Sequence, residues 1–163
     1  MARELQLYLL RHADAGDPER WAGPDSARPL SSEGVRQAER LAAHLTAIGF
    51  RCDAVITSPK RRAVETAEPL AAALNLPAVV DDRLGEGLTL DFIDQILVAA
   101  GNPRAAVLVG HDPDFSELLS TLTGASDMPM KKGALARLDC PRPLIAGAGR
   151  LRWLIPPEVL SGR

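Results

Sequence analysis

The stretch LYLLRHADAG, residues 7–16, decides how this chain is read. Leu7, Tyr8, Leu9 and Leu10 form a run without polar alternation, and Arg11 and His12 follow at once. A short apolar run of this kind fits a strand covered on both faces. Ending it in a guanidinium and an imidazole delivers both groups to one end of a sheet. Working outward, LQLYLL (5–10), DAVIT (53–57), LPAVVD (76–81) and AAVLVG (105–110) all read as strands. SSEGVRQAERLAAHLTAIGF (31–50) places Val35, Ala38, Leu41, Ala42, Leu45 and Ile48 at helical spacing, with Ser31 or Ser32 as cap and Gly49 as stop. SPKRRAVETAEPLAAAL (58–74) predicts a helix capped by Ser58, with Pro59 in its first position and a kink or split at Pro69. LDFIDQILVAAG (90–101) predicts an amphipathic helix, and DPDFSELLSTLTG (112–124) one capped by Asp112 and ended by Gly124. ALARLDC (134–140) and GRLRWLI (149–155) alternate and read as strands near a sheet edge, joined by the hairpin connection PRPLIAGAG.

Strands alternating with helices imply an α/β fold, a three-layer α/β/α sandwich with a mostly parallel central sheet. The 163 residues suit one domain, 1–163, with no linker or repeat to divide them. Net charge is -2 and aromatics are 4%, which argues against a nucleic-acid partner. The apolar run near the amino terminus is too short for a signal-peptide core, and no stretch approaches the roughly 18 apolar residues of a membrane span. Cys52 and Cys140 share no metal-ligand spacing and read as reduced thiols, so the expected compartment is cytoplasmic.

In open parallel sheets, ligands sit beyond the carboxyl ends of the strands. That rule selects Arg11-His12, then Thr57-Ser58 with Lys60, Arg61 and Arg62, then Gly110-His111. Two imidazoles and several guanidiniums at one rim make an anion site, to which two helix N-termini add positive potential. A phosphoryl group is the candidate ligand. A neutral imidazole facing it can act as nucleophile, while the other cations hold the equatorial oxygens. No metal or cofactor is needed for that chemistry. The blander readings are a surface pair for Arg11-His12, a capping turn for His111-Asp112-Pro113 and a solvated face for Lys60-Arg61-Arg62. His44 lies off the apolar stripe and reads as solvated, and a metal-dependent phosphohydrolase would need further His and Asp ligands.

With these residues in place, LYLLRHADAG resembles the opening motif of the histidine phosphatase superfamily, which includes phosphoglycerate mutases and acid phosphatases. TSPKRRAVETA (57–67) resembles its second motif, VLVGHDPDF (107–115) its third, and RPLSSEGVRQA (28–38) the segment opening its first helix. Gly usually follows the histidine; here Ala13 does. The resemblance covers nearly the whole chain. It implies a phosphoglycerate mutase-like fold, a phosphorylated nucleophile at His12, phosphate-binding arginines at Arg11 and Arg62, and a second phosphoryl-contacting histidine at His111. Ser58 is expected to contribute phosphate binding through its helix terminus. The general acid of the larger family would fall at Glu86 in LGEGL (84–88), with Asp14 and Asp112 as fallbacks.

Only about 43 residues separate Thr66 from Gly110, which leaves little room for the mutases' capping insertion. The chain is therefore similar to the SixA-type phosphohistidine phosphatases. That branch implies a phosphorylated protein as partner, such as a histidine phosphotransfer domain. A phosphohistidine expels an imidazole of unperturbed pKa roughly 6.5, so a weak acid or none suffices. Two alternatives stay open: a small-molecule phosphomonoesterase of the same fold, acting on small phosphate esters with Glu86 as a working acid, and a non-catalytic phosphoprotein-binding module. Lys131 and Lys132, in MPMKKGA, read as a solvated loop, with a place at the site mouth as the alternative.

Overall fold

The computed structural model describes residues 4–161. Six strands form one sheet: β1 (Leu5–Arg11), β2 (Ala54–Thr57), β3 (Ala78–Val80), β4 (Ala105–Gly110), β5 (Leu135–Cys140) and β6 (Arg150–Ile155). Their spatial order is β3-β2-β4-β1-β5-β6. The first four run parallel, and β5 and β6 are antiparallel to their neighbours. Four helices connect them: α1 (Ser32–Ala47), α2 (Arg61–Ala73), α3 (Leu90–Ala99) and α4 (Asp114–Thr123). Among the described residues no helix is long and apolar enough to cross a membrane.

The apolar runs of β1 and β4 make sense because each face of the sheet is covered. Side chains alternate along a strand, so Leu5, Leu7, Leu9, Ala106 and Leu108 face one layer, with Ile93 and Ile96 of α3 and Phe115 and Leu119 of α4. Tyr8, Leu10, Val107 and Val109 face the other, with Leu41 and Leu45 of α1 and Ala63, Ala67 and Leu70 of α2. This is a three-layer α/β/α sandwich around a mostly parallel mixed sheet, as the sequence leads one to expect.

Three local expectations are corrected. The α1 stripe is Gly34, Ala38, Leu41, Ala42 and Leu45; Val35 is 42% exposed and Ile48, past the last turn, 61%. Gly34 belongs to it because α1 lies against the chain after β1: a Cβ there would come within 1.9 Å of the Asp14 carbonyl oxygen. Ser31, not Ser32, caps α1 by accepting the Gly34 N–H, and Gly49, at φ +71°, follows its end. Second, Ser58 does not cap α2, whose first residue is Arg61 after Lys60; its hydroxyl is engaged elsewhere. Third, Pro69 does not split α2, which runs unbroken from Arg61 to Ala73. Asp112 does receive a free amide of α4, accepting the Ser116 N–H at 3.0 Å, although the helix itself begins at Asp114.

Candidate active site

The three parallel strand ends meet in a cleft of about 380 Å³, lined by Arg11, His12, Arg28, Lys60, Arg62, Glu86, His111, Asp112 and Lys132 among others. Adjacent strands fix this convergence: Arg11 pairs in register with Gly110, and Thr57 with Val109. Backbone bonds extend the ladder past the strand ends, His12 N–H to the Gly110 carbonyl and Ser58 N–H to the Val109 carbonyl, each at 2.9 Å. Gly110 is small because the Phe115 ring closes on it; a Cβ would stand 2.7 Å from Cζ.

His12 is 6% exposed. Its Nδ1 lies 2.7 Å from the carbonyl oxygen of Ala13. A carbonyl only accepts, so Nδ1 carries the proton and Nε2 keeps its lone pair. The Ala13 N–H in turn donates to Thr66 Oγ1 at 3.0 Å, and Thr66 Oγ1 donates to the Arg62 carbonyl at 2.7 Å. Thr66 of the second motif therefore holds the backbone on which the His12 ring rests. His111 is equally buried; its ring centroid lies 5.2 Å from that of His12. Its Nε2 is 2.7 Å from Ser58 Oγ. Burial, aided by the surrounding cations, pushes the His12 pKa down to about 4. Burial, then His12, Lys60 and Arg62, pushes His111 down to about 3. Both rings are neutral at pH 7, the state a nitrogen nucleophile requires.

The arginines are tied on one side and free on the other. Arg11 Nη1 donates to the Met130 carbonyl at 2.6 Å and stands 3.3 Å from Asp112 Oδ2. Arg62 Nη1 and Nη2 donate to the carbonyl and carboxylate of Asp25, both at 2.9 Å. Arg11 Nε, Arg62 Nε and His111 Nδ1 are buried without a hydrogen-bond partner among the described residues. An anion with several acceptor oxygens is the ligand chemistry such groups can accommodate.

Arg11, His12, Arg62 and His111 are thus brought together as the motifs implied. Glu86 lines the same cleft from an exposed position and makes no ion pair among the described residues. Asp14 accepts from Ser31 Oγ at 2.5 Å, and that bond above all holds its carboxyl below the usual range, so it is a poor proton donor near neutrality. Asp112 is taken up by Arg11 and by the Ser116 hydroxyl.

Asp25 and Arg28 were not singled out by the sequence. Arg28 is buried, donates to the Ala15 carbonyl at 2.7 Å and shares Asp25 with Arg62. Burial opposes the ionisation of Asp25, but Arg62 and then Arg28 outweigh it and hold the carboxyl below its ordinary range. The three-residue spacing of Asp25 and Arg28 was the available signal. Lys60 turns into the cleft whereas Arg61 pairs with Glu65 outside it. Lys132, expected in a solvated loop, lines the cleft and stands 3.5 Å from Asp14, while Lys131 pairs with Glu158. Among the described residues no group of three or more His, Cys, Asp or Glu side chains is placed to hold a metal.

Residues 7–91 match the family model of the histidine phosphatase superfamily, branch 1. The chain belongs to that superfamily. It is 28% identical over 158 residues to the phosphohistidine phosphatase SixA of Escherichia coli K12, covering 94% of each chain. It is 35% identical over 116 residues to an uncharacterised protein of Picosynechococcus, covering 69% of this chain and 70% of the other. A solved structure of the protein histidine phosphatase SixA complexed with tungstate superposes with a TM-score of 0.81 at 26% identity, over 96% of this chain and all of that one. The likeness to SixA runs over nearly the whole chain.

Proposed function

We propose that this superfamily member removes the phosphoryl group from a phosphohistidine on a protein, such as a histidine phosphotransfer domain, without a metal and through a phosphohistidine formed at His12. The observation that carries this is the Nδ1–H bond of His12 to the Ala13 carbonyl, which leaves Nε2 as a free nucleophile among arginines. Full-length likeness to a phosphohistidine phosphatase supports the substrate class.

In the first step the His12 Nε2 lone pair forms a bond to phosphorus as the substrate N–P bond breaks. The positive charge that grows on the His12 ring is shared through Nδ1–H with the Ala13 carbonyl. Arg11, Arg62 and the His111 N–H take the phosphoryl oxygens, whose charge they balance as it spreads in the transition state. A substrate ring protonated on its other nitrogen departs as neutral imidazole, so no acid is required. Water then attacks the phosphoryl group on His12, the N–P bond breaks, and inorganic phosphate leaves with His12 restored. In this reading Glu86, exposed in the cleft lining, is the carboxylate that hands over or collects a proton.

The test compares phosphate release from a phosphohistidine protein, in excess chelator, by the wild type and by His12→Ala. Release by the wild type alone is expected. Release by both proteins overturns the mechanism, and release by neither overturns the substrate class. Glu86→Gln sharpens it: a loss below about 10-fold on phosphohistidine is expected, against about 10²-fold or more on any ester that is turned over.

A further inference from the structure

Ser58 and His111 stand just beyond the ends of two neighbouring parallel strands. Because Thr57 pairs with Val109, Ser58 continues level with Gly110, one residue short of His111. Ser58 is fully buried, and its Oγ lies 2.7 Å from His111 Nε2. The same oxygen accepts the Lys60 N–H at 3.2 Å. The hydroxyl proton then needs an acceptor of its own, since a buried O–H left unsatisfied is costly. Among the described residues, the acceptor within hydrogen-bond distance of Ser58 Oγ is His111 Nε2. A ring nitrogen that accepts carries no proton, so the proton of the neutral ring sits on Nδ1. Nδ1 is one of the buried atoms without a partner, on a ring that faces His12 across 5.2 Å.

We propose that Ser58 is a positioning residue: by donating its hydroxyl proton to His111 Nε2 it fixes the Nδ1–H tautomer and makes the uncharged second histidine a hydrogen-bond donor to the phosphoryl group on His12. This deepens the proposed function and rests on His12 as the phosphoryl acceptor. It also gives a reason for serine at this position other than helix capping, since α2 starts later and its entry needs no hydroxyl from Ser58 beyond the Lys60 contact. Without the hydroxyl, Nε2 is free to hold the ring proton, and Nδ1 then turns a lone pair towards an anion.

The experiment reads the ring nitrogens of His111 by ¹⁵N–¹H NMR in the wild type, Ser58→Ala and Ser58→Thr, with and without inorganic phosphate. A protonated Nδ1 and bare Nε2 are expected in the wild type and in Ser58→Thr, with the Nδ1–H signal moving when phosphate is added. Ser58→Ala is expected to shift towards the Nε2–H form and to lose that response. On phosphohistidine protein, Ser58→Ala should lose about 10- to 100-fold in kcat with KM little changed, the order of loss when a partner orienting a working imidazole is removed. Ser58→Thr should restore most of it. A wild-type ring protonated on Nε2 overturns the proposal, whether or not any variant folds or any substrate is turned over. So does a Ser58→Ala protein that keeps both the Nδ1–H tautomer and wild-type kcat. Absence of turnover by the wild type would sink the proposed function instead, and leaves the tautomer to be decided by the spectrum.

Discussion

The two halves of the sheet are built from similar apolar residues and do different work. In the parallel half, β3-β2-β4-β1, every strand points its carboxyl end the same way. Whatever follows a strand is carried to one rim, and His12, Thr57, Ser58, Arg62, Thr66 and His111 are all buried there. In the antiparallel half, successive ends point in opposite directions, so β5 and β6 cannot collect groups at one place. Their polar residues pair with one another instead, Arg137 and Arg152 with the mostly buried Asp139. Parallel direction concentrates desolvated polar groups into a site; antiparallel direction leaves them in local ion pairs.

If that division holds, substitutions in one half should cost turnover and in the other stability. His12→Ala should give the largest effect, a fall in phosphate release of about 10⁴-fold or more with the fold retained, checked by steady-state turnover beside thermal unfolding. Arg62→Lys keeps the charge but loses the forked donor set, and should cost about 10²- to 10³-fold in kcat/KM. Leu138→Ala, at a fully buried position of β5, should instead lower stability by about 2–5 kcal/mol in urea unfolding while kcat stays near wild type. A large loss of kcat in that variant, at a temperature where it is folded, would break the comparison.

A pH series sharpens it further. His12 and His111 titrate near 6.5 when unfolded but at about 4 and about 3 in the fold. Below pH 6.5 the unfolded chain therefore binds protons that the folded chain refuses. Their contribution is fully present above 6.5 and is lost as pH falls towards 4 and 3, at up to about 1.4 kcal/mol per pH unit for each group. His111→Gln should flatten the acid side of the stability profile relative to wild type, as measured by urea midpoints between pH 7 and pH 5. The smallest effect is expected from Arg152→Ala at the sheet edge, below about 1 kcal/mol and without consequence for turnover.

Much of this division is legible in the chain. The runs of β1 and β4 lack alternation because both faces are covered, and β5 and β6 alternate more because they lie nearer an edge. Arg11-His12 and Gly110-His111 are readable as site residues because they are covalently attached to strand ends, so no side-chain packing is needed to place them. Arg62 needed the resemblance to separate it from Arg61, since both lie in one basic run and only the three-dimensional course of α2 turns one inwards. Asp25, Arg28 and Lys132 reach the rim through loops folding back over it, so beyond the Asp25–Arg28 spacing they leave no local signal. Ser58 was misread as a cap because Ser-Pro is a strong local signal for a helix start. The neighbouring strand's histidine, invisible to that local logic, takes the hydroxyl instead.

The bond from His12 Nδ1 ends on a main-chain oxygen, that of Ala13. Every amino acid carries that oxygen, so no exchange of side chain at position 13 can delete it. The orientation of the His12 ring is thereby insensitive to the side chain at position 13 itself, provided the replacement fits a site where Ala13 is wholly enclosed. What the enclosure limits at this position is volume, and the methyl group of Ala13, where the resemblance implies glycine, leaves the bond intact.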